Sequence, residues 1–477
     1  MGEFTGTYDP TAATADSDRL SGSLYRRLYR ISLPLILNSG SMIFMIFCDR
    51  MFLSWYGTDE ISAVWPASFL YSACMTFFYA ITSFVNVFVA QYYGAGNKKM
   101  CAAAVWQGIY FVFCAYLVLL SLIPLGRQAF SAFGHRPEIA SLERTYFTVL
   151  MCASIMPQLN NVIAAFFTGR GLSKVTMTAN VIANIVNIFL GYSMIFGRFG
   201  FPRLGILGAG LAMAVASTVG PAIMFMLFLR SSYQRDYETR KQWRLRPKLI
   251  KRLLSIGAPS GTHDVTYYFT LAIFFLFMGR TMPEALAANN IAWSINDLLT
   301  LYTWGLSLSA TTLLAQSIGG GKYEEAQKVA NLVLKILLFM AAVVSVIYLF
   351  LPDFLFSVFR PRIEGINNVP FNLILPRGKT VLHFFIIYNF LVACAFTMRQ
   401  ALRGAGDTNY FVKVAVFLDL LFFMPGIFVT VKIFGSNFRA LWIFFLIYLA
   451  LVASVHLFRF RSGYWKTLAR DHIHEQA

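Results

Sequence analysis

Long apolar runs separated by short polar segments repeat along the whole chain, and they constrain its fold more than any other feature. A helix needs about 20 apolar residues to cross roughly 30 Å of hydrocarbon. Here 57% of the residues are hydrophobic and 13% are charged, whereas soluble domains are about 25% charged. The pattern predicts an all-α polytopic membrane protein with twelve transmembrane helices, near residues 31–56, 62–91, 102–125, 146–168, 175–197, 205–229, 252–279, 285–317, 329–351, 380–400, 411–434 and 438–458.

Basic residues concentrate in one set of loops. If the N-terminus is cytoplasmic, the inner segments hold 25 Lys or Arg against 12 in the outer segments. Because positively charged loops tend to remain in the cytoplasm, both termini are predicted there. Nine of the 25 lie between Arg230 and Arg252. No nucleic-acid-binding motif accompanies these nine residues, so we expect them to contact anionic membrane lipid and not nucleic acid.

The second half of the chain repeats the first. Six spans per half give a parallel repeat, which predicts two pseudo-symmetric six-helix lobes around a midplane cavity that opens to each side in turn. Such a repeat favours a transporter over a receptor. Residues 26–34 match 251–259 and residues 90–96 match 315–321 at a shift of 225, while 169–171 match 404–406 at a shift of 235.

The repeat and the charges together predict the domain organisation. A cytoplasmic tail (1–30) precedes the first lobe (31–230), a basic linker (231–251) joins it to the second lobe (252–458), and a second cytoplasmic tail (459–477) follows. The compact loops, and the absence of Asn-x-Ser/Thr acceptor sites from the outer loops, favour a bacterial inner membrane.

Several segments, in order, resemble the multidrug and toxic compound extrusion (MATE) family. The resemblance implies two six-helix lobes that export organic compounds against an inward flow of Na⁺ or H⁺. No single segment is specific, but their order and spacing cover nearly the whole chain. The segments are Ile31–Pro34 with Cys48–Gly57, Val89–Gly96, Gly169–Ser173, Asn187–Gly197 with Phe201–Gly210, Leu314–Gly321, and Leu402–Thr408 with Pro425–Gly426.

Asp49 matches the acidic residue that members of this family carry in the first span and use in cation coupling. A carboxylate inside a span is costly unless it is neutral, paired or hydrated, which suits it to bind and release a proton. Alternatively, Asp49 pairs with Arg50 or lies at the outer interface near Trp55. Adjacent helical residues point about 100° apart, so Arg50 is expected to extend outward.

Two departures from the family favour H⁺ over Na⁺. Gly191 stands where relatives carry an acidic residue, and Met213 stands where Thr is common; a multi-ligand Na⁺ site needs several hard oxygens. Asn180, Asn184 and Asn187 share one helix face and could hydrogen-bond the Asp49 carboxyl, or they could serve only in helix packing.

The usual acidic pair of the second lobe is missing, because Tyr267 and Val392 occupy its aligned positions. His263 and Asp264 could relay protons, or they could be solvated near the helix start. Asp419 aligns with Asn184 and lies deep in its span, which makes it a candidate cavity residue. The remaining cavity candidates are Asp297, Asn296 and Tyr267.

The sequence therefore predicts a monomeric secondary antiporter, embedded in lipid, that exports small organic cations in exchange for H⁺ or Na⁺. The alternatives are a flippase for lipid-linked or polysaccharide precursors, or a receptor or scaffold that does not transport. No Walker A loop, metal-ligand cluster or nucleophile with its base is recognisable, so neither an enzyme nor a cofactor is expected.

Overall fold

The computed structural model describes residues 10–132, 136–281, 283–357, 371–435 and 437–474. These residues are almost entirely helical, with short turns between the helices. The helices of the first half are α1 (Pro10–Tyr56), α2 (Thr58–Gly94), α3 (Lys98–Ser121), α4 (Ile123–Ala132), α5 (Pro137–Ala153), α6 (Ile155–Thr168), α7 (Ser173–Phe196) and α8 (Ile206–Phe228).

A short helix, α9 (Ser231–Tyr237), lies in the basic linker. The second half consists of α10 (Pro247–Thr281), α11 (Pro283–Leu299), α12 (Leu301–Gly319), α13 (Tyr323–Phe350), α14 (Pro352–Ser357), α15 (Phe371–Ala405), α16 (Asn409–Phe434), α17 (Phe438–Arg461) and α18 (Tyr464–His474). The middle of α16, Ala415–Phe423, is π-helical.

These helices occupy the positions of the twelve predicted spans. Among the described residues, 10 helical segments are long and apolar enough to cross a membrane. The predicted eighth span corresponds to α11 and α12, which meet at a bend of 51°. If this bent pair is counted as one span, the described residues contain 11 candidate spans. The predicted seventh span is α10, which is 35 residues long but interrupted by polar side chains such as His263 and Asp264.

We call the end of the bundle at which α8 enters the linker the linker end, and the opposite end the far end. Each far-end core belongs to one lobe: one cluster contains Phe52, Phe147 and Ile206, and the other contains Phe274 and Trp442. Of the three other described clusters, two contain residues from both lobes, and the third, around Leu314 and Trp465, belongs to the second half alone. The lobes are therefore joined towards the linker end and packed separately at the far end.

Glycines at matching turns of the two halves have the same backbone conformation. Gly96 and its repeat partner Gly321 have φ values of 75° and 72°, and Gly171 and Gly406 have 79° and 81°. Only glycine adopts this left-handed region at low cost, so the same turn ends corresponding helices in both halves. The two lobes are thus structural copies of one another.

Matching helix ends form the joint between the lobes. Gly94 packs on the backbone of Gln316, and their repeat equivalents, Gly319 and Gln91, pack in the same way. The Gln91 side chain donates to the Gly404 carbonyl at 3.1 Å, and the Gln316 side chain donates to the Gly169 carbonyl at 2.7 Å. The joint is therefore close-packed and nearly symmetric.

Candidate functional site

Because the lobes have separate cores at the far end, we infer a cleft between them whose floor lies just beyond this joint. Gly257 and Gly261 of α10 contact Ile81 and Phe77 of α2 across the lobes. Asp264 follows one turn further along the same face of α10, where the lobes begin to separate. Polar side chains at this level can therefore reach both lobes.

The first-lobe site is built on Asp49, about two turns before the end of α1. With its amide oriented to donate, Asn187 of α7 places its nitrogen 2.9 Å from Asp49 Oδ1 and 3.1 Å from Oδ2. Gly191 lies one turn beyond Asn187, and a Cβ added there would be 3.2 Å from Asp49 Oδ1. The Asp49 carboxylate therefore contacts the Asn187 amide and faces the backbone at Gly191, which has no side chain.

The other two asparagines of α7 contact α1 at different residues. The Asn180 amide donates to Asn38 Oδ1 at 2.9 Å, and the Asn184 amide donates to Ser41 Oγ at 2.9 Å. The hydrogen bonds that the sequence suggested from these two residues to Asp49 are therefore replaced by others. All three asparagines face α1, but Asn38 and Ser41 lie nearer to its linker end than Asp49 does.

Arg50 extends away from this site. Its side chain is exposed, and its guanidinium carbon lies 5.4 Å from the centre of the Trp65 ring. A tryptophan face attracts a cation by its quadrupole, and an aromatic belt of this kind is typical of a membrane interface.

An ionic cluster occupies the second-lobe side of the cleft floor. Asp264 Oδ1 lies 3.1 Å from Arg399 Nη1, and its Oδ2 lies 3.6 Å from Arg403 Nη1. His263 Nδ1 lies 3.8 Å from Asp264 Oδ1 and 3.4 Å from Arg399 Nη1. Arg403 also donates to Ser83 Oγ of the first lobe at 2.6 Å. One carboxylate thus holds two guanidinium groups, one of which bridges the lobes.

Asp419 lies in the core of the second lobe and is fully buried. Its Oδ1 accepts a hydrogen bond from the Tyr448 hydroxyl at 2.8 Å, while its Oδ2 has no hydrogen-bond partner. Asp419 belongs to the π-helical part of α16, and such widened turns occur frequently at functional sites.

The remaining cavity candidates lie on separate faces. Asp297 is exposed, whereas its neighbour Asn296 is buried and accepts a hydrogen bond from the Tyr348 hydroxyl at 3.0 Å. Tyr267 is half-buried, and its ring lies 6.3 Å from that of Tyr268. Of these three side chains, Asp297 is the most accessible to a ligand.

The sequence analysis did not single out Arg399 and Arg403. Both were counted as basic residues beside a cytoplasmic loop, because they follow the apolar part of the predicted tenth span. In the structure α15 continues to Ala405, so both lie on a helix inside the bundle. Their spacing of four residues, which places them on one helix face, was the available signal.

A model of the MatE family matches residues 34–193 and 259–428, one stretch in each lobe and more than half of the chain. The chain belongs to the MATE family. This MATE protein is therefore a membrane transporter, as the resemblance of its motifs implied.

Two curated relatives cover most of the MATE chain. It is 26% identical over 460 residues to the "Probable multidrug resistance protein NorM" of Thermotoga maritima, which covers 94% of this chain and 96% of the relative. It is 23% identical over 398 residues to the "Uncharacterized transporter YisQ" of Bacillus subtilis, with coverages of 82% and 84%.

Two solved structures confirm the predicted all-α fold of two six-helix lobes. One is described as the outward-facing conformation of a multidrug resistance MATE family transporter, with a TM-score of 0.81, 19% identity and coverages of 93% and 96%. The other is a MOP superfamily transporter from Pyrococcus furiosus, with a TM-score of 0.80, 19% identity and the same coverages.

Proposed function

We propose that this MATE protein is a secondary antiporter that exports small, cationic, amphiphilic organic compounds from the cytoplasm in exchange for H⁺. The observation that carries the proposal is the Asp49 carboxylate, held inside a span against Asn187. An ionisable group at such depth is expensive and is typically part of an ion or substrate pathway. Relatives named as multidrug resistance proteins support the substrate class.

The ligands around Asp49 favour H⁺ over Na⁺ as the coupling ion. Sodium sites need several hard oxygens, and Gly191 and Met213 supply no side-chain oxygen here. A proton needs one carboxyl group and a partner that accepts either protonation state. The Asn187 amide can do this, because rotating it by half a turn exchanges its donor for its acceptor.

The orientation follows from the charges of the loops. The linker end carries the basic linker, so we assign this end to the cytoplasm. A cleft open at the far end is then the outward-open state. In our mechanism a proton from outside neutralises Asp49, removes the charge that holds an organic cation, and releases that cation outward. The lobes then rock to expose the cleft to the cytoplasm, where Asp49 loses its proton.

The experiment is export of a fluorescent organic cation from proteoliposomes under an imposed pH or Na⁺ gradient. Asp49→Asn is expected to abolish gradient-driven export, because the amide cannot exchange a proton. The matched control is Asp59→Asn, the same substitution at the far-end residue that pairs with Arg136. Normal export by Asp49→Asn would refute the assignment, and export driven only by Na⁺ would refute proton coupling.

A flippase for lipid-linked precursors is the second candidate, and Arg399 and Arg403 favour it. Guanidinium groups bind phosphates by paired hydrogen bonds, and these two lie at the cleft floor. Flipping of a fluorescent lipid diphosphate by the wild type, and its loss in Arg399→Gln without loss of cation export, would support this function. No flipping by the wild type would exclude it for that lipid.

A further inference from the structure

A groove on the outside of the second lobe lies apart from the cleft. It runs between α16 and α17 at the linker end, and the start of α18 closes it. Its volume is about 1250 Å³, which is large enough for part of an elongated ligand. None of the residues that form the Asp49 site or the Asp264 cluster lines it.

One part of the groove faces the membrane interior. Phe417 and Phe458 line it on adjacent helices, and their side chains are 62% and 77% exposed. Phe417 lies inside its span and faces hydrocarbon, whereas Phe458 precedes Arg459 in the last turn of α17 and lies nearer the interface, so this part of the groove opens to lipid. Val414 and Leu418 form its inner wall. A hydrocarbon chain fits such a surface.

The other part of the groove carries charge. Arg459 already forms an ion pair, because its Nε and Nη2 donate to the two Asp407 oxygens at 2.8 and 3.0 Å. Its guanidinium also lies 4.1 Å from the centre of the Tyr464 ring. Lys413, on the α16 side of the groove, has no ion pair or hydrogen bond with any residue that the structure describes. The groove thus presents one positive charge without a counter-charge.

The position of Lys413 along α16 suits contact with a lipid headgroup. It lies one turn inside α16, which begins at Asn409 at the linker end, so its ammonium group can extend to the headgroup level. Phe417 follows one turn deeper. The order of groups along the groove, a cation at the interface and apolar side chains below it, matches the order of phosphate and acyl chain in a phospholipid.

We propose that this groove binds one phospholipid with a net negative headgroup from the linker-end leaflet of the bilayer. The phosphate contacts Lys413, and an acyl chain extends from there along Phe417 and Leu418. A net-neutral phospholipid would place its choline or ethanolamine cation near Lys413 and would bind less well.

The test is native mass spectrometry of the purified, intact transporter titrated with phosphatidylglycerol or with phosphatidylcholine of the same acyl chains. We expect the first phosphatidylglycerol to bind more tightly than the first phosphatidylcholine. Lys413→Gln is expected to weaken only the phosphatidylglycerol, by about fivefold, the usual effect of one basic residue near a membrane surface. Lys413→Arg should retain the preference.

Lys432→Gln is the matched control, because it makes the same change at the far end of the same span. Ser454→Trp tests the groove itself, since it fills the groove without changing its charge and should weaken both lipids. The proposal fails if the wild type shows no headgroup preference, or if Lys432→Gln matches Lys413→Gln. It also fails if soluble glycerol phosphate displaces the lipid, because the site would then be one for a free anion.

Discussion

Asp49 lies against Asn187 and Gly191 of α7. The Asn187 amide lies within hydrogen-bond distance of both of its oxygens, and a Cβ added to Gly191 would lie 3.2 Å from Oδ1. A second carboxylate at this point would stand beside the first. Two adjacent carboxylates repel each other unless a proton or a metal cation lies between them.

Gly191→Asp is therefore expected to change the coupling ion. The added carboxylate supplies oxygens of the kind that Na⁺ prefers, so export should become stimulated by an inward Na⁺ gradient. The measurement is the initial rate of cation export from proteoliposomes at constant pH with and without the gradient.

Gly191→Asn is the control for that prediction, because it adds nearly the same volume without the charge. We expect it to crowd Asp49 and slow export without creating a response to Na⁺. An equal Na⁺ response in both variants, or in neither, would show that the charge at this position does not select the ion.

The site residues show which features a sequence can predict. Asp49 could be recognised from its depth in a span and from the family motif. The partners of Asn180 and Asn184 could not, because the relative height of α1 and α7 is set by packing and not by the sequence of either helix. Arg399 and Arg403 were missed because an arginine at the end of an apolar run looks like a loop charge.

At the scale of helices, several interlobe contacts depend on residues without side chains. Gly94 and Gly319 allow helix ends from opposite lobes to touch, and Gly257 and Gly305 do the same for α10 on α2 and for α12 on α1. Small residues allow spanning helices to approach closely, so packing and hydrogen bonds can hold them together. These contacts are concentrated towards the linker end and hold the cleft closed there.

Gly319→Ala is expected to separate the two lobes at the linker end. The new Cβ would collide with the backbone of Gln91, and overpacking of this kind typically costs about 1–3 kcal/mol. The cost falls on the state in which the linker end is closed, so the population should shift to other states. Spin labels on Lys174 and Asn409, which are exposed on opposite lobes at this end, measure the shift as a longer distance.

Gly40→Ala is the matched control for the helix contacts. It introduces the same methyl group into a spanning helix, but no atom lies within 4 Å of the new Cβ. We expect the label distances of this variant to equal those of the wild type. Unchanged distances in Gly319→Ala would mean that the joint tolerates the extra group and does not set the conformation.

The helices themselves were largely predictable, because apolar runs of membrane length have few alternatives to the helix. The break in the predicted eighth span was not. Thr300 and its neighbours continue an apolar pattern, and the 51° bend between α11 and α12 appears only when the helices pack. The π-helical part of α16 likewise leaves no periodic mark in the sequence.

At the scale of the whole molecule, the linker belongs to the first lobe. Trp106 Nε1 of α3 donates to the Thr239 carbonyl at 2.7 Å, and Gln107 Nε2 donates to the Arg244 carbonyl at 3.1 Å. The backbone N–H of Arg246 returns a hydrogen bond to Gln107 Oε1 at 2.7 Å. A linker fixed in this way moves with the first lobe, so any rocking between lobes must bend the chain after Arg246.

Rocking of the lobes predicts that a covalent bridge across the linker end stops transport. Arg27 of α1 and Glu325 of α13 form an exposed ion pair across the lobes at 2.7 Å, and pairs this exposed contribute only about 0–1 kcal/mol. Replacing both by cysteine should therefore leave folding and export nearly unchanged until a short bis-maleimide joins them. Export of a fluorescent cation should then fall to the background rate.

Each single-cysteine variant, treated with the same reagent, should keep its activity and so account for reaction at native cysteines. Undiminished export by the bridged protein would show that the two lobes do not separate at this end during transport.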